Sequence, residues 1–243
     1  KLMSRWEMAG VLIAGAGAGA AAYPLSGAFL DAMPMGFSEY SRFAAPWIEE
    51  ALKLIVVVGL FAFNRIGFKA DAAVQGFAIG AGFAVLENIL FLTRFTDLDT
   101  GTWLVRGLGT AVMHAGTGAI MTTLAQELAE KAVQHRPAHQ WRLNLLWFLP
   151  GYLLAVLIHG AFNQFPDQPM TAMLAALVLV PLALIAIFHF GSGEAHALLD
   201  QDHAEHTAAL DVLEAGGFPD TESGRRIAAF ARSHRGGELV DPI

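Results

Sequence analysis

The 243-residue chain is 55% hydrophobic and 15% charged, whereas soluble domains are about 45–50% apolar and about 25% charged. Its net charge of −7 lies mostly in residues 192–243, and this uneven charge excludes a basic nucleic-acid-binding domain, which needs clustered Lys and Arg on one face. The chain has no cysteine, which excludes disulfides, Cys-ligated zinc and thiol nucleophiles.

Long apolar stretches follow one another along most of the chain. A helix that spans a bilayer needs about 20 mainly apolar residues. Six stretches meet or nearly meet this requirement: 9–30, 46–64, 72–95, 102–126, 142–165 and 168–190. Glycines inside them, such as Gly15, Gly17 and Gly80, predict close packing between helices. We therefore predict an all-α, polytopic membrane bundle of about six transmembrane helices.

The distribution of charged residues predicts a transmembrane domain, 1–191, followed by an acidic tail, 192–243. The tail holds ten of the 22 acidic residues and four of the 15 basic ones, and its pattern predicts two short helices, 194–215 and 221–233. Lys and Arg are retained in cytoplasmic loops, which predicts a cytoplasmic N-terminus and tail. With that orientation the inner side carries Lys1, Arg5, Arg65, Lys69, Lys131, Arg136 and Arg142, and the outer side Arg42 and Arg94.

Polar side chains interrupt four successive apolar stretches. They are Glu49, Glu50 and Lys53 in the second stretch, Glu87 and Asn88 in the third, Arg106 and His114 in the fourth, and His159 and Asn163 in the fifth. Ionisable groups at bilayer depth cost several kcal/mol, so they mark a functional interior. We expect most of them to converge in the outer half of the membrane or near its midplane. Arg106 lies near the end of a stretch, and we expect it to reach the lipid headgroups.

The spacing of these residues limits their contacts. Lys53 follows Glu49 by four residues and Glu50 by three, so either carboxylate can pair with it on one helical face. His159 and Asn163 are four residues apart, which places an imidazole and an amide on one stripe. A structural ion pair, and hydrogen bonds that join helices, are the alternative interpretations.

Four motifs come in a characteristic order, namely EEALK at Glu49–Lys53, GFAVLEN at Gly82–Asn88, VMHAG around His114 and HGAFN at His159–Asn163. Over residues 40–166 the chain resembles the PrsW family of bacterial intramembrane proteases, which is related to the CAAX-protease and Abi superfamily. The resemblance implies a multi-pass endopeptidase of the bacterial inner membrane. It also implies a membrane-protein substrate, such as an anti-sigma factor, cut first on the outer side.

Peptide hydrolysis without a Ser or Cys nucleophile requires an activated water, a donor to the oxyanion and an acid for the leaving amine. We favour a metal-free mechanism in which Glu49, with Glu87 or His114, deprotonates the water. The resemblance to the CAAX relatives implies that His159 and Asn163 donate hydrogen bonds to the oxyanion.

Two further residues are given supporting roles. Lys53 is expected to tune the ionisation of the glutamate pair, Glu49 and Glu50, and Asn88 is expected to orient a neighbouring side chain. The expected partners are a membrane-protein substrate and the lipid bilayer, without nucleic acid, and the oligomeric state is left open.

Three alternatives stay open beside this mechanism. No cofactor is favoured, but a Zn²⁺ version of the same protease uses protein ligands plus water. Its ligands would come from Glu49 or Glu50, Glu87, His114 and His159. A non-catalytic membrane scaffold or a transporter would also place polar groups at this depth.

Overall fold

The computed structural model describes residues 4–94, 99–134, 143–165, 168–189 and 224–225. The chain divides into two units, Lys1–His189 and Phe190–Ile243, and all the described residues except 224 and 225 belong to the first. The tail predicted at 192–243 and its two predicted helices lie outside the described residues, except for residues 224 and 225. The domain boundary and the location of the tail therefore stay predictions.

Within its described part the chain is helical and contains no strand, which confirms the predicted all-α class. The α-helices are α1 (Arg5–Ala32), α2 (Phe37–Phe43), α3 (Ala45–Ala62), α4 (Lys69–Arg94), α5 (Thr100–Leu104), α6 (Ala111–Gln134), α7 (Leu149–Asn163) and α8 (Pro169–His189). A π-helical turn, Val105–Thr110, continues α5 into α6, and a 3-10 turn, Leu145–Trp147, precedes α7.

Among the described residues, four helices are long and apolar enough to cross a membrane, namely α1, α4, α7 with its preceding turn, and α8. This confirms a helical membrane bundle. Helices also form at the other two predicted spans, but α3 carries three ionisable residues near its start. That α3 and α6 also cross the membrane, which would make six spans, stays a prediction.

Helix α6 tolerates its polar residues because the protein surrounds it. Most of its side chains are buried, including those of Thr117, Thr122 and Thr123. The hydroxyls of Thr122 and Thr123 donate to backbone carbonyls one turn earlier, at 2.8 and 2.7 Å. These hydrogen bonds remove the cost of burying an unpaired hydroxyl. Helix α6 can therefore lie at the centre of the bundle, where its burial places it.

Glycines allow α4 to approach α6 closely. A Cβ atom added at Gly76 would collide with the backbone of Gly118, and one added at Gly80 would collide with the carbonyl group of His114. Backbone contacts of this kind are typical of membrane helices that pack through small residues. Gly15 contacts Ile79 in the same way. The tight α4–α6 interface therefore lies directly beside His114.

Candidate active site

Four helices bring the predicted polar residues together. Helix α3 supplies Glu49, Glu50 and Lys53, α4 supplies Glu87 and Asn88, α6 supplies His114, and α7 supplies His159 and Asn163. The following contacts establish which of these residues meet.

Lys53 pairs with Glu50, and both side chains are completely buried. The Nζ atom of Lys53 lies 2.7 Å from Oε1 of Glu50. It also donates to Oγ1 of Thr117 at 3.1 Å and lies 3.1 Å from Nδ1 of His114. The helical spacing allowed Lys53 to pair with either Glu49 or Glu50. In the structure its direct partner is Glu50.

His159 is oriented by the same carboxylate. Its Nδ1 atom lies 2.8 Å from Oε1 of Glu50, and because an ionised carboxylate only accepts, Nδ1–H is the donor. The other ring nitrogen, Nε2, then carries a lone pair and lies 3.8 Å from Oε2 of Glu49. A carboxylate that orients a histidine through its second nitrogen is typical of metal-ligating histidines.

His114 connects the buried ion pair to Glu87. Its Nδ1 atom faces the ammonium of Lys53, which can only donate, so the neutral ring carries its proton on Nε2. Nε2 lies 2.8 Å from Oε2 of Glu87 and 4.0 Å from Oε2 of Glu49. For Nε2 to become a metal ligand it must lose this proton, and Glu87, the acceptor in contact with it, must pass the proton on to water to return to its ionised form.

Arg106 is part of the site, so the expectation that it reaches the lipid headgroups is wrong. Its Nη2 atom donates to Oε1 of Glu87 at 2.9 Å, and its guanidinium carbon lies 4.3 Å from the centroid of the Phe91 ring. The side chain of Asn88 donates to the backbone carbonyl of Arg106 at 2.9 Å. Arg106 lies in the π-helical turn, a distortion found frequently at functional sites.

Asn163 faces the end of α2. Its Nδ2 atom donates to the backbone carbonyl of Ser41 at 2.9 Å. This contact ties the end of α7 to the segment that leads into α3, and it engages one of the two amide hydrogens. The oxyanion role of Asn163 stays a prediction.

Glu49, His114 and His159 form a group that fits a metal ion. One ligand atom from each lies within 4.8 Å of the other two. The Oε2 atom of Glu49 is buried and has no hydrogen-bond partner among the described residues. One carboxylate oxygen and two imidazole nitrogens are ordinary Zn²⁺ donors, and three protein ligands leave a position open for water or substrate. An unpartnered buried oxygen aimed at two imidazoles supports this fit.

The site is more exposed on one side. The side chains of Glu87 and Arg106 are 30% and 21% exposed, whereas those of Glu50 and Lys53 are 0% exposed. The group is therefore open on the side where α4 contacts the π-helical turn. The buried ion pair forms the closed side.

Two residues of the site were not identified from the sequence. Thr117 donates to the carbonyl of His114 at 3.0 Å and approaches Oε1 of Glu50 at 3.3 Å. Phe83 packs its ring against that of His114, with centroids 4.9 Å apart. A threonine and a phenylalanine are common in membrane helices, so only the three-dimensional contacts single them out.

Buried carboxylates and imidazoles that converge between apolar helices define a polytopic membrane protein with an internal ionisable centre. Residues 3–189 match the family described as PrsW family intramembrane metalloprotease, and the chain belongs to this family. It is accordingly a membrane protease. Neither a curated protein nor a solved structure gives a significant match to the chain.

Proposed function

We propose that this protein is a metal-dependent intramembrane endopeptidase whose metal ligands are Glu49, His114 and His159. The observation that carries the proposal is the convergence of these three side chains from three helices, with Oε2 of Glu49 buried and unpartnered. The proposal adopts the Zn²⁺ alternative rather than the metal-free mechanism, since the family is described as one of metalloproteases. Glu87 is assigned another role.

A divalent ion such as Zn²⁺, when bound there, would act as a Lewis acid on the scissile carbonyl and make water a better nucleophile at neutral pH. The chain's own residues provide the rest of the chemistry. His159 is held in the ligating tautomer by its hydrogen bond to Glu50. Lys53 compensates the charge of Glu50, so this carboxylate can remain buried.

Glu87 is the proposed general base and acid. It lies on the more exposed side of the group, and its Oε2 atom contacts His114, one of the three proposed ligands. In this role Oε2 accepts the proton of the attacking water and then delivers it to the leaving amine. Arg106 holds the other carboxylate oxygen, which fixes the orientation of Oε2.

The remaining predicted residues support this arrangement. Asn88 holds the backbone of Arg106 and so acts as a positioning residue. Asn163 keeps a second amide hydrogen, which is assigned to the oxyanion on the basis of the CAAX relatives.

The proposed substrate is a membrane protein with a single transmembrane helix, such as an anti-sigma factor, in the bacterial inner membrane. With a cytoplasmic N-terminus and both α1 and α3 crossing the membrane, the start of α3 and the end of α4 lie on the outer side. Glu49 and Glu87 belong to these segments. Their position supports a first cut near the outer surface.

Metal content and cleavage, measured together on purified protein, test the proposal. We expect the wild type to retain a single Zn²⁺ ion per chain and to cut a single-span reporter in proteoliposomes. Glu49→Gln and His159→Gln should lose both the metal and cleavage. Glu130→Gln is the matched control, because Glu130 lies about 24 Å further along α6 from His114 at 1.5 Å per residue.

The alternatives give different results. A folded wild type that cuts the reporter without any divalent metal would contradict the metal site and restore the metal-free mechanism. If the protein were a scaffold, Glu49→Gln would still bind the partner protein, and neither the wild type nor the variant would cut the reporter. A transporter would lose flux after this substitution.

A further inference from the structure

A cavity of about 610 Å³ lies among α1, the end of α3 and the start of α4. Its size falls within the range of about 300–1,000 Å³ that is typical of small-ligand sites. Part of its wall is the connection between α3 and α4, where Asn64 adopts a left-handed backbone conformation with φ 52°. The buried side chain of Gln75 donates to the backbone carbonyl of Arg65 at 2.9 Å and holds this connection in place.

The cavity is distinct from the candidate active site. On α3 its lining includes Leu60, which lies about 15 Å along the helix from Glu50. On α4 it includes Asp71, which lies about 24 Å along the helix from Glu87. The two sites therefore lie toward opposite ends of the bundle.

The polarity of the lining changes along the helix axes. The charged groups Glu7, Arg65 and Asp71 belong to the ends of the helices and to the connecting segment. One to two turns further into the bundle the lining is apolar, with Val11 and Ala14 on α1 and Val56 and Leu60 on α3. A phospholipid has the same order of groups, with a charged headgroup at the membrane surface and an acyl chain beneath it.

The charges of the lining distinguish one class of headgroup from another. Arg65 and Glu7 form an exposed ion pair at 3.4 Å. Asp71 has no ion pair or side-chain hydrogen bond within the described part of the chain. An anionic headgroup would meet two carboxylates and one guanidinium. A zwitterionic headgroup with a protonated amine can place its phosphate against Arg65 and its ammonium against Asp71.

We propose that this cavity binds an aminophospholipid, with Arg65 at the phosphate, Asp71 at the ammonium group and the apolar walls around an acyl chain. The bound lipid joins α1 to α3 and α4 on the side away from the candidate active site. The proposal does not depend on the protease function, because it rests on a different set of residues.

Native mass spectrometry of the full chain in detergent tests the proposal, with phosphatidylethanolamine, phosphatidylcholine and phosphatidylglycerol added at equal concentration. We expect the wild type to retain phosphatidylethanolamine at least fivefold more often than either of the others. Gly10→Phe should reduce this retention about tenfold, because Gly10 lines the cavity and a Cβ atom added there meets nothing within 4 Å, which leaves room for the ring to occupy the lipid's place. Gly17→Phe is the matched control on the same helix, at an exposed glycine outside the cavity lining.

A second variant keeps the test decisive if Gly10→Phe does not fold. Asp71→Asn should remove the preference for phosphatidylethanolamine over phosphatidylglycerol and leave the folded fraction unchanged. Equal retention of all three lipids by the wild type would overturn the proposal. So would wild-type retention by Gly10→Phe, or a preference that survives Asp71→Asn. Because lipid retention is measured without a substrate, its outcome is separate from that of the cleavage test.

Discussion

The Nδ1 atom of His159 donates to Oε1 of Glu50 across 2.8 Å, and this hydrogen bond joins α7 to α3 inside the bundle. The same oxygen accepts from Lys53 at 2.7 Å. One carboxylate oxygen thus orients an imidazole and neutralises an ammonium group. Because Oε1 of Glu50 has these two partners, the carboxylate is held in a fixed orientation, which fits the positioning role proposed for Glu50.

We expect Lys53→Met to destabilise the protein strongly. The substitution keeps an unbranched side chain of similar length but leaves Glu50 as a buried carboxylate without its ammonium partner. Removal of one partner of a buried ion pair costs about 3–5 kcal/mol. Unfolding in mixed micelles, followed by far-UV circular dichroism, measures the change in the free energy of unfolding.

Lys131→Met provides the matched control for this substitution. Lys131 pairs with Glu127 at 3.2 Å, but its side chain is 42% exposed. An exposed ion pair contributes about 0–1 kcal/mol. If the two methionine variants unfold with similar free energies, the pair of Lys53 and Glu50 does not have the stabilising role assigned to it.

Much of the fold follows from the sequence, because apolar length and small residues depend on local composition. The stretches around α1, α4, α7 and α8 are recognisable as spans. The contact of Gly80 with the backbone of His114 agrees with the packing predicted from glycine. The central position of α6 could not be predicted, since its threonines are buried by neighbouring helices rather than by its own pattern. The π-helical turn has no local signal either.

The convergence of the candidate polar residues was predictable from the sequence, and their individual contacts were less so. Ionisable groups are costly in a membrane, and this cost draws attention to Glu50, Glu87, His114 and His159. In the structure Glu87 contacts His114, and Glu50 contacts His159. Helical spacing allowed Lys53 to pair with either glutamate, and only the packing of α3 against α6 selects one. The contact of Arg106 with Glu87 was missed because a position near the end of a span is equally suited to headgroup contact.

We expect Arg106→Gln to lower the rate of cleavage rather than the affinity for substrate. Arg106 holds Oε1 of Glu87 at 2.9 Å, so its loss frees the carboxylate to rotate away from His114. Loss of a residue that orients a ligand or its partner typically costs about 10–100-fold. Kinetics with a single-span reporter should show this loss in kcat with KM nearly unchanged.

Two further variants define the role of Arg106. Arg106→Lys should recover part of the rate, because an ammonium group keeps the charge but holds only one contact with Glu87. Arg94→Gln, at an exposed position at the end of α4, should cut at the wild-type rate. A rise in KM at constant kcat would instead assign Arg106 to substrate binding.

Gly80→Ala is expected to disrupt the packing of α4 on α6. The added methyl group would collide with the backbone carbonyl of His114, which cannot move without shifting α6. Overpacking of this kind costs about 1–3 kcal/mol or more. Gly17→Ala is the control, because a side chain at Gly17 meets nothing within 4 Å. The thermal unfolding midpoints of the two variants in detergent should therefore differ, and equal midpoints would refute the close approach at Gly80.

Removal of the proposed metal ion should destabilise the protein as well as stop cleavage. An ion that binds only the folded state, at a free concentration 100 times its Kd, stabilises by about 2.7 kcal/mol. Treatment of the wild type with a chelator should therefore lower the thermal unfolding midpoint, and Zn²⁺ should restore both the midpoint and cleavage.

His159→Gln separates this effect from general damage by the chelator. The substitution removes one of the two proposed ligand nitrogens, so the unfolding midpoint of this variant should be low at the start and unchanged by the chelator or by Zn²⁺. Glu130→Gln should respond as the wild type does, because Glu130 lies outside the group formed by Glu49, His114 and His159. If the chelator shifts the midpoint of His159→Gln as much as that of the wild type, the stabilising ion binds elsewhere in the protein and the assignment of the three ligands is wrong.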